Sequence, residues 1–286
     1  MPFSLRPFID GIRRALSRRL LPTSLGSREI AMKLDGEVKR AAMFSARVES
    51  ARVLQRLRDV VGTIVGGATP ESEAARASGD APLLLSLPDA KEALRQEIVA
   101  TGYQPAPEDA GTIKDQTSDA RLTLMVEINE AVTHGHGRWV AGNDPEVFDA
   151  FPAWELVRIS PAAEPRNWAL RWMMAGGTSF GGRMIALKGS PVWDALGNAK
   201  LFPDALGNPY PPFAYNSGMD VREISRAEAT RLGLIRPGSE PPKPDSRSLA
   251  EGMEVSADRF DAAMQSALAA DPDLQLTGGV LRLKPA

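Results

Sequence analysis

The residues whose types and spacing could do chemistry are one serine between glycines and two neighbouring histidines. Ser179 lies in Gly177-Thr-Ser-Phe-Gly181, the G-x-S-x-G spacing in which a sharp turn exposes a nucleophilic serine. Hydrolases that use this turn place their catalytic histidine after the serine in the chain. Both histidines of this chain, His134 and His136, precede it. The pattern therefore favours a glycine-rich turn, and a serine-dependent hydrolase stays open as an alternative.

The two histidines could also bind a metal ion. His134-Gly-His136 offers two imidazoles, but protein metal sites need three or four ligands. Glu127, Glu130 and Asp144 are candidates for the remaining ligands, and their spacing matches no recognised motif such as H-E-x-x-H. The sequence therefore predicts no metal and no other cofactor, and it places the histidines on a solvent-facing helix end.

Composition excludes several further kinds of chemistry. The 286 residues include no cysteine, which excludes disulfides, cysteine-ligated zinc and a thiol nucleophile. The sequence contains no P-loop and no dinucleotide-binding glycine motif. The net charge of -2 argues against a wholesale polyanion binder, and no apolar run reaches the roughly 18 residues of a membrane span. A carboxylate-dependent hydrolase stays open, because the spacing of a carboxylate pair is three-dimensional.

The elements that must position these residues are helices and short strands separated by many turns, since the chain has 25 Gly and 23 Pro. The predicted helix over 118–140 has Ser118 as its N-cap, and Gly135 and Gly137 are expected to loosen its last turn. Apolar spacing predicts helices over 27–61, 88–100, 118–140, 145–151, 165–175, 225–232 and 256–270, and strands over 153–159, 183–188 and, as an edge strand, 280–283.

Two other patterns concern the turns and the core. The sequence Asp-Ala-Leu-Gly-Asn occurs at 194–198 and again at 204–208, and Gly and Asn both tolerate positive φ, so we expect two similar turns. All five tryptophans lie between Trp139 and Trp193. Because aromatic side chains bury the most surface per residue, this stretch is expected to form the main core.

We expect an α+β fold in which a helical N-terminal region precedes a mixed, loop-rich core domain with short strands. Residues 1–65 form the expected helical arm. Residues 66–82 are rich in Gly, Ala, Ser and Pro and indicate a flexible linker. The core domain is expected at 83–235, and a proline-rich linker at 236–248 leads to a C-terminal helix and tail at 249–286.

The first 25 residues contain five Arg and one Asp, and their pattern predicts a basic amphipathic helix. Three interpretations are open: a surface helix docked on its own domain, an arm that binds a partner or a polyanion, or a membrane-surface or targeting helix. The candidate partner-binding residues on this arm are Phe8, Ile12, Arg13, Arg14, Leu16, Arg18 and Arg19.

Two separated segments carry a family resemblance. The first is a helix sequence with matching positions at Arg121, Glu127, Asn129, Ala131, Gly135 and Arg138. The second is a closing loop with a Pro-Pro pair and a restricted Asn/Gly segment, carried by Pro211, Pro212, Asn216 and Gly218. Together they resemble the Mu F-like minor head proteins of the phage head morphogenesis family. The common family form also has Cys pairs and a His near the Pro-Pro pair, and this chain has neither.

The resemblance implies a non-catalytic minor head protein that acts in head morphogenesis. Such proteins bind in few copies at or near the portal vertex, so a portal or capsid protein is the implied partner and packaged DNA a further contact. The implied location is the virion and, during assembly, the host cytoplasm. The cytoplasm is reducing, and a chain without cysteine suits it because it needs no disulfide. No membrane partner is implied. A DNA-associated protein that uses the basic N-terminal helix is a separate alternative.

Overall fold

The computed structural model describes residues 6–65, 86–161, 165–239, 244, 255–256, 274–277 and 280–283, and it has the α+β fold that the sequence predicts. Its helices are α1 (Arg6–Leu16), α2 (Ser27–Lys33), α3 (Gly36–Ala41), α4 (Ala51–Ile64), α5 (Leu87–Ala100), α6 (Asp119–Gly142), α7 (Pro145–Ala150), α8 (Trp168–Met174), α9 (Pro191–Leu196) and α10 (Arg226–Arg231). Its strands are β1 (Arg19–Leu20), β2 (Ala42–Met43), β3 (Ala153–Arg158), β4 (Ser179–Phe180), β5 (Arg183–Leu187), β6 (Met219–Ile224), β7 (Val255–Ser256), β8 (Leu274–Thr277) and β9 (Val280–Leu283).

A first hydrophobic core lies between α1, α4, α5 and the first half of α6. Each helix contributes an apolar stripe with the three- and four-residue spacing of one helix face. The members of this core include Ile12, Leu16, Leu54, Leu57, Leu94, Ile98, Leu122 and Met125. Since α4 precedes residues 66–82 and α5 follows them, the expected arm and the expected core domain share this core.

Serine side chains fix where the three long helices of this core begin. The Ser50 hydroxyl accepts a hydrogen bond from the Val53 amide at the start of α4, and the Ser118 hydroxyl accepts one from Arg121 at the start of α6. Ser86 and Asp89 form a capping box before α5. These bonds satisfy amide groups that a helix leaves without partners in its first turn.

A four-stranded antiparallel sheet with the order β4-β5-β3-β6 carries the second core. One side holds an aromatic cluster centred on Trp193, whose ring lies edge-on to Trp154 at 5.5 Å and to Trp172 at 5.3 Å between centroids. All five tryptophans are buried, so the stretch that contains them forms a core as predicted, but it is not the main core, because the first core contains none of these residues. A smaller apolar group, which includes Ile185 and Ile224, forms a separate cluster on this sheet.

Helix α6 belongs to both cores. Its N-terminal half supplies Leu122 and Met125 to the first, and its C-terminal half supplies Trp139 to the second. The sequence predicted a loosened end here, and that expectation is wrong, because α6 continues past Gly135 and Gly137 to Gly142. Close packing explains both glycines: a Cβ on Gly135 would lie 1.9 Å from the carbonyl oxygen of Pro211, and a Cβ on Gly137 would lie 3.0 Å from the Ile12 side chain of α1.

The two copies of the Asp-Ala-Leu-Gly-Asn sequence contact each other, but the expectation of two similar turns is wrong, because the first copy ends α9 and the second lies in the loop before β6. The Gly207 amide donates to the Gly197 carbonyl at 2.8 Å. A Cβ on Gly197 would lie 1.9 Å from the carbonyl oxygen of Asn208, and Gly207 has φ near 81°. Glycine is therefore needed at position 197 because no Cβ fits there, and at position 207 because the backbone has a positive φ.

Several predicted elements agree with the structure and others do not. The predictions over 88–100, 145–151, 153–159, 183–188 and 225–232 are confirmed within two residues at each end. The single helix predicted over 27–61 is wrong. It is divided into α2, α3, β2 and α4, because Asp35 caps α3 and Ser50 caps α4. The helix predicted from 165 begins at Trp168, where the Asn167 side chain caps it.

At the C-terminal end, β9 (Val280–Leu283) is a strand as predicted, but it is not an edge strand, since it lies between β7 and β8. The predicted linker at 66–82, most of the linker at 236–248 and most of the helix at 256–270 fall outside the described residues. Among the helices that are described, none is both long and apolar enough to cross a bilayer.

Candidate functional site

The two segments that carry the family resemblance pack directly against each other. A Cβ on Gly135 of α6 would lie 1.9 Å from the carbonyl oxygen of Pro211, so only glycine permits this approach. Pro211 and Pro212 are joined by a cis peptide bond. After it, Asn216 and Gly218 adopt positive φ, near 49° and 60°. The helix and the loop thus form one surface although they are far apart in the sequence.

A groove of about 400 Å³ lies along this junction. It is bounded by α1, by α6, by the Pro-Pro loop and by the ends of β3 and β6, and most of its lining is apolar. Its apolar lining comes from Phe8, Ala131, Ile159, Pro211, Pro212 and Met219. An apolar groove of this size can hold side chains of a peptide segment.

Polar groups stand at two places in the groove. Arg138 donates two hydrogen bonds to the Asp220 carboxylate, at 3.0 and 2.9 Å, and so joins α6 to β6. The Phe8 ring stacks on His134 with 6.1 Å between centroids. Arg138 and His134 are both partly exposed, so a bound segment could also meet a cation and an imidazole there.

Other matching positions of the resemblance have structural contacts. The buried Arg121 guanidinium donates to the Ser45 hydroxyl at 2.6 Å and to the Ala46 carbonyl at 2.8 Å, which ties α6 to the loop after β2. The Asn129 side chain donates to the Met125 carbonyl and accepts a hydrogen bond from Arg18. These two residues therefore hold α6 in place, whereas Ala131 and Arg138 line the groove.

The structure distributes the candidate partner-binding residues of the N-terminal arm over different surroundings. Ile12, Leu16 and Arg18 are buried inside the chain, so this arrangement places them out of a partner's reach. Phe8 lines the groove. Arg14 is exposed and Arg19 is half-buried, and the Arg13 side chain lies outside the described part of the chain. The amphipathic face was correctly located, but it covers α6 of the same molecule.

The two histidines have different environments, which corrects the expectation that both face solvent. His134 is partly exposed, whereas His136 is buried and its Nδ1 lies 3.0 Å from the Tyr210 hydroxyl. Burial, followed by the positive charges of Arg18, Arg14 and Arg40, lowers the pKa of His136 to about 4. His136 is therefore neutral at physiological pH.

The suggested additional metal ligands do not gather around these histidines. Glu130 comes within 4.0 Å of His134 on the same helix face. In the residues that the structure describes, no group of three or more His, Asp or Glu side chains is arranged to hold a metal ion.

Ser179 lies in a β-hairpin, in the strand just before the glycine turn that the sequence favoured. It belongs to β4, where it pairs with Met184 of β5, and Gly181 and Gly182 form the tight connection with φ near 57° and 82°. A Cβ on Gly177 would lie 2.3 Å from the Trp172 ring. The G-x-S-x-G spacing thus follows from turn geometry and close packing.

Sequence reasoning missed Ile159, Asp220 and Tyr210 as neighbours of this site. Ile159 ends the strand predicted over 153–159, but in the structure it follows β3 directly and is 64% exposed, so an apolar residue at a strand end was the one available signal. The contacts of Asp220 and Tyr210 with α6 span more than 70 residues and leave no local pattern. Comparisons of this chain with protein-family models, with curated proteins and with solved structures find no match.

Proposed function

We propose that the chain is a non-catalytic minor head protein of a tailed phage, which binds a portal or capsid protein during head morphogenesis. The proposal begins from the resemblance of the two segments around α6 and the Pro-Pro loop. The observation that carries it is that both segments line one groove, through Ala131 and Arg138 on one side and Pro211 and Pro212 on the other.

The groove suits a protein partner better than a substrate. Its apolar lining and its polar Arg138–Asp220 edge match the usual composition of a small interface, with an apolar centre and a polar rim. Ile159 extends the apolar surface beside it. In this proposal the protein acts in the host cytoplasm during assembly and in the virion afterwards, and packaged DNA is at most a further contact.

The test is recovery of the tagged chain with assembled heads from an induced host culture. We expect the chain to co-sediment with particles that contain portal and capsid proteins, at few copies per particle. Absence of the chain from purified heads would contradict the proposal.

Two matched variants locate the contact. Ala131→Arg places a long side chain in the groove at an exposed helix position and should remove the chain from heads. Ala100→Arg makes the same change at the exposed end of α5 and should leave recovery unchanged. Equal recovery of both variants would place the contact outside the groove.

A further inference from the structure

The N-terminal end of α1 lies at the groove. Helix α1 begins at Arg6, and Phe8, two residues later, is one of the residues that line the groove. The Phe8 ring also stacks on His134 of α6, with 6.1 Å between centroids, which holds this end of α1 at the groove wall. Residues 1–5, which lie outside the described part of the chain, are therefore attached to it directly beside the groove.

The composition of residues 1–5 matches the lining of the groove. They read Met-Pro-Phe-Ser-Leu, so four of the five are apolar and none has a charged side chain. The lining is apolar apart from His134, Arg138 and Asp220. Because Arg138 and Asp220 bind each other at 3.0 and 2.9 Å, neither needs an opposite charge from a ligand. An apolar, uncharged segment therefore fits this groove without the cost of burying an unpaired charge.

Chain length favours this segment over a separate molecule. Five extended residues span at most about 18 Å, which is enough to enter a groove of about 400 Å³ that begins beside their point of attachment. A segment on a short tether has an effective concentration on the order of millimolar near its anchor. A separate molecule without this tether has to reach that concentration to compete equally.

We propose that residues 1–5 bind in the groove of their own chain, with the Phe3 side chain as the main apolar anchor. In this arrangement the segment covers Ala131 and Ile159, the two groove residues that are exposed in the described part of the chain. The segment has to leave before a portal or capsid protein binds the same groove, and this regulatory consequence rests on the proposed function.

Disulfide trapping tests the contact directly, because the native chain has no cysteine. Ser4→Cys places one thiol on the segment without removing an apolar residue, and Ala131→Cys places the other in the groove. The matched control combines Ser4→Cys with Glu127→Cys, at an exposed position one helical turn before Ala131 and outside the groove lining. One turn is about 5.4 Å, so a segment that is not bound meets both positions about equally often.

Each double variant of the full chain is equilibrated at low protein concentration with reduced and oxidised glutathione. The fraction with a disulfide, measured by mass spectrometry, gives the effective concentration of each thiol pair. We expect the pair with Ala131→Cys to exceed the pair with Glu127→Cys by about tenfold or more, because burial of one phenylalanine ring holds the segment in place.

A third substitution tests the anchor. Phe3→Asp should remove the difference between the two pairs, because a carboxylate is costly to bury in the groove. Ser27→Asp introduces the same charge at an exposed position of α2 and should leave the difference unchanged.

Three results would overturn the proposal: equal effective concentrations for the two pairs, a difference that survives Phe3→Asp, or disulfide-linked dimers in place of the intramolecular bond. The dimers would assign the groove to a second copy of the chain. None of these results depends on a phage partner. The disulfide comparison therefore tests the segment and recovery with heads tests the proposed function, and either can fail alone.

Discussion

The molecule contains two buried clusters of charged side chains, and they differ in how the buried charge is compensated by neighbouring groups. In the sheet, the buried Glu155 carboxylate accepts hydrogen bonds from Arg183, at 2.8 Å to each oxygen, and from Arg222. Arg183 also donates to Glu228 at 2.9 Å. In the second cluster, beside α6, which we call the basic cluster and which includes Arg18, Arg40, His136 and Tyr210, Arg18 contacts only neutral oxygens among the described residues. Glu155 is thus paired with arginines of the same chain, whereas Arg18 has no carboxylate partner among the described residues.

Local geometry explains why the sheet cluster is complete. Glu155 lies directly opposite Arg222 in the β3–β6 ladder, and the register of β5 brings Arg183 beside it. Cross-strand neighbours of opposite charge stabilise a sheet. Hydrogen bonds from Arg183, more than those from Arg222, lower the pKa of Glu155 to about 2. The basic cluster has no such ladder, because its members come from four separate elements.

The largest expected effect tests the close packing of α6 against the Pro-Pro loop, beside the basic cluster. Gly135→Ala places a Cβ against the Pro211 carbonyl and should lower the free energy of unfolding by about 3 kcal/mol, because neither the helix nor the loop can move aside easily. Urea denaturation measures it. Gly142→Ala, where the nearest neighbour is the flexible Lys188 ammonium at 3.5 Å, should leave stability unchanged or slightly raised. Equal stability of the two variants would refute the close contact.

The second prediction concerns pH and the basic cluster. The pKa of His136 is about 4 in the folded chain and 6.5 as a model value, so the unfolded state binds this proton more tightly. The stability contributed by neutral His136 is therefore complete above pH 6.5 and is lost as the pH falls toward 4. We expect a loss of about 3 kcal/mol over that window in unfolding experiments.

Two variants test whether His136 rather than His134 causes this pH dependence. His136→Gln should flatten the slope between pH 7 and pH 5, whereas His134→Gln should retain it. Because the chain has only two histidines, His134→Gln also leaves a single imidazole signal whose titration can be followed by NMR. A midpoint for that signal near the ordinary value would contradict the buried environment.

The third prediction concerns the sheet cluster. Glu155→Gln removes the shared carboxylate charge and should destabilise the chain by about 1–2 kcal/mol. The loss is smaller than for a fully buried pair, because Arg183 and Arg222 both reach solvent. Glu146→Gln on the exposed side of α7 should change stability by less than about 0.5 kcal/mol. Guanidinium is unsuitable here because it screens charge, so urea is the denaturant of choice.

The smallest expected effect concerns the exposed ion pair between Arg138 of α6 and Asp220 of β6. Arg138→Gln breaks the bonds to Asp220 and should cost about 0.5 kcal/mol or less, since Arg138 is half exposed. The difference from the native chain should shrink further in high salt. A loss as large as that of Gly135→Ala would show that charge, rather than close packing, joins α6 to the sheet region.

Sequence patterns predicted the elements well where the signal was local. The Ser118 cap and the apolar stripe after it located α6, and the short apolar segments 153–159 and 183–188 located β3 and β5. Glycine was the main source of error. Gly135 and Gly137 looked like helix breakers, and they are instead the points where a loop and α1 approach the helix.

The sites depended on contacts that no local pattern encodes. Arg18 meets Asn129 across 111 residues, and His136 meets Tyr210 across 74. Each of these residues is unremarkable within its own segment. The amphipathic face of α1 was visible in the sequence, but hydrophobic spacing states only that a face is buried and not which surface buries it.

The length of α6 also has a mechanical consequence. Its 24 residues make an uninterrupted rod about 36 Å long, with one end fixed in each core. A force applied at the groove near Arg138 would act on the C-terminal half of α6. Because a continuous helix shortens or bends very little, that force is passed to the opposite end as tilt or translation of the whole rod.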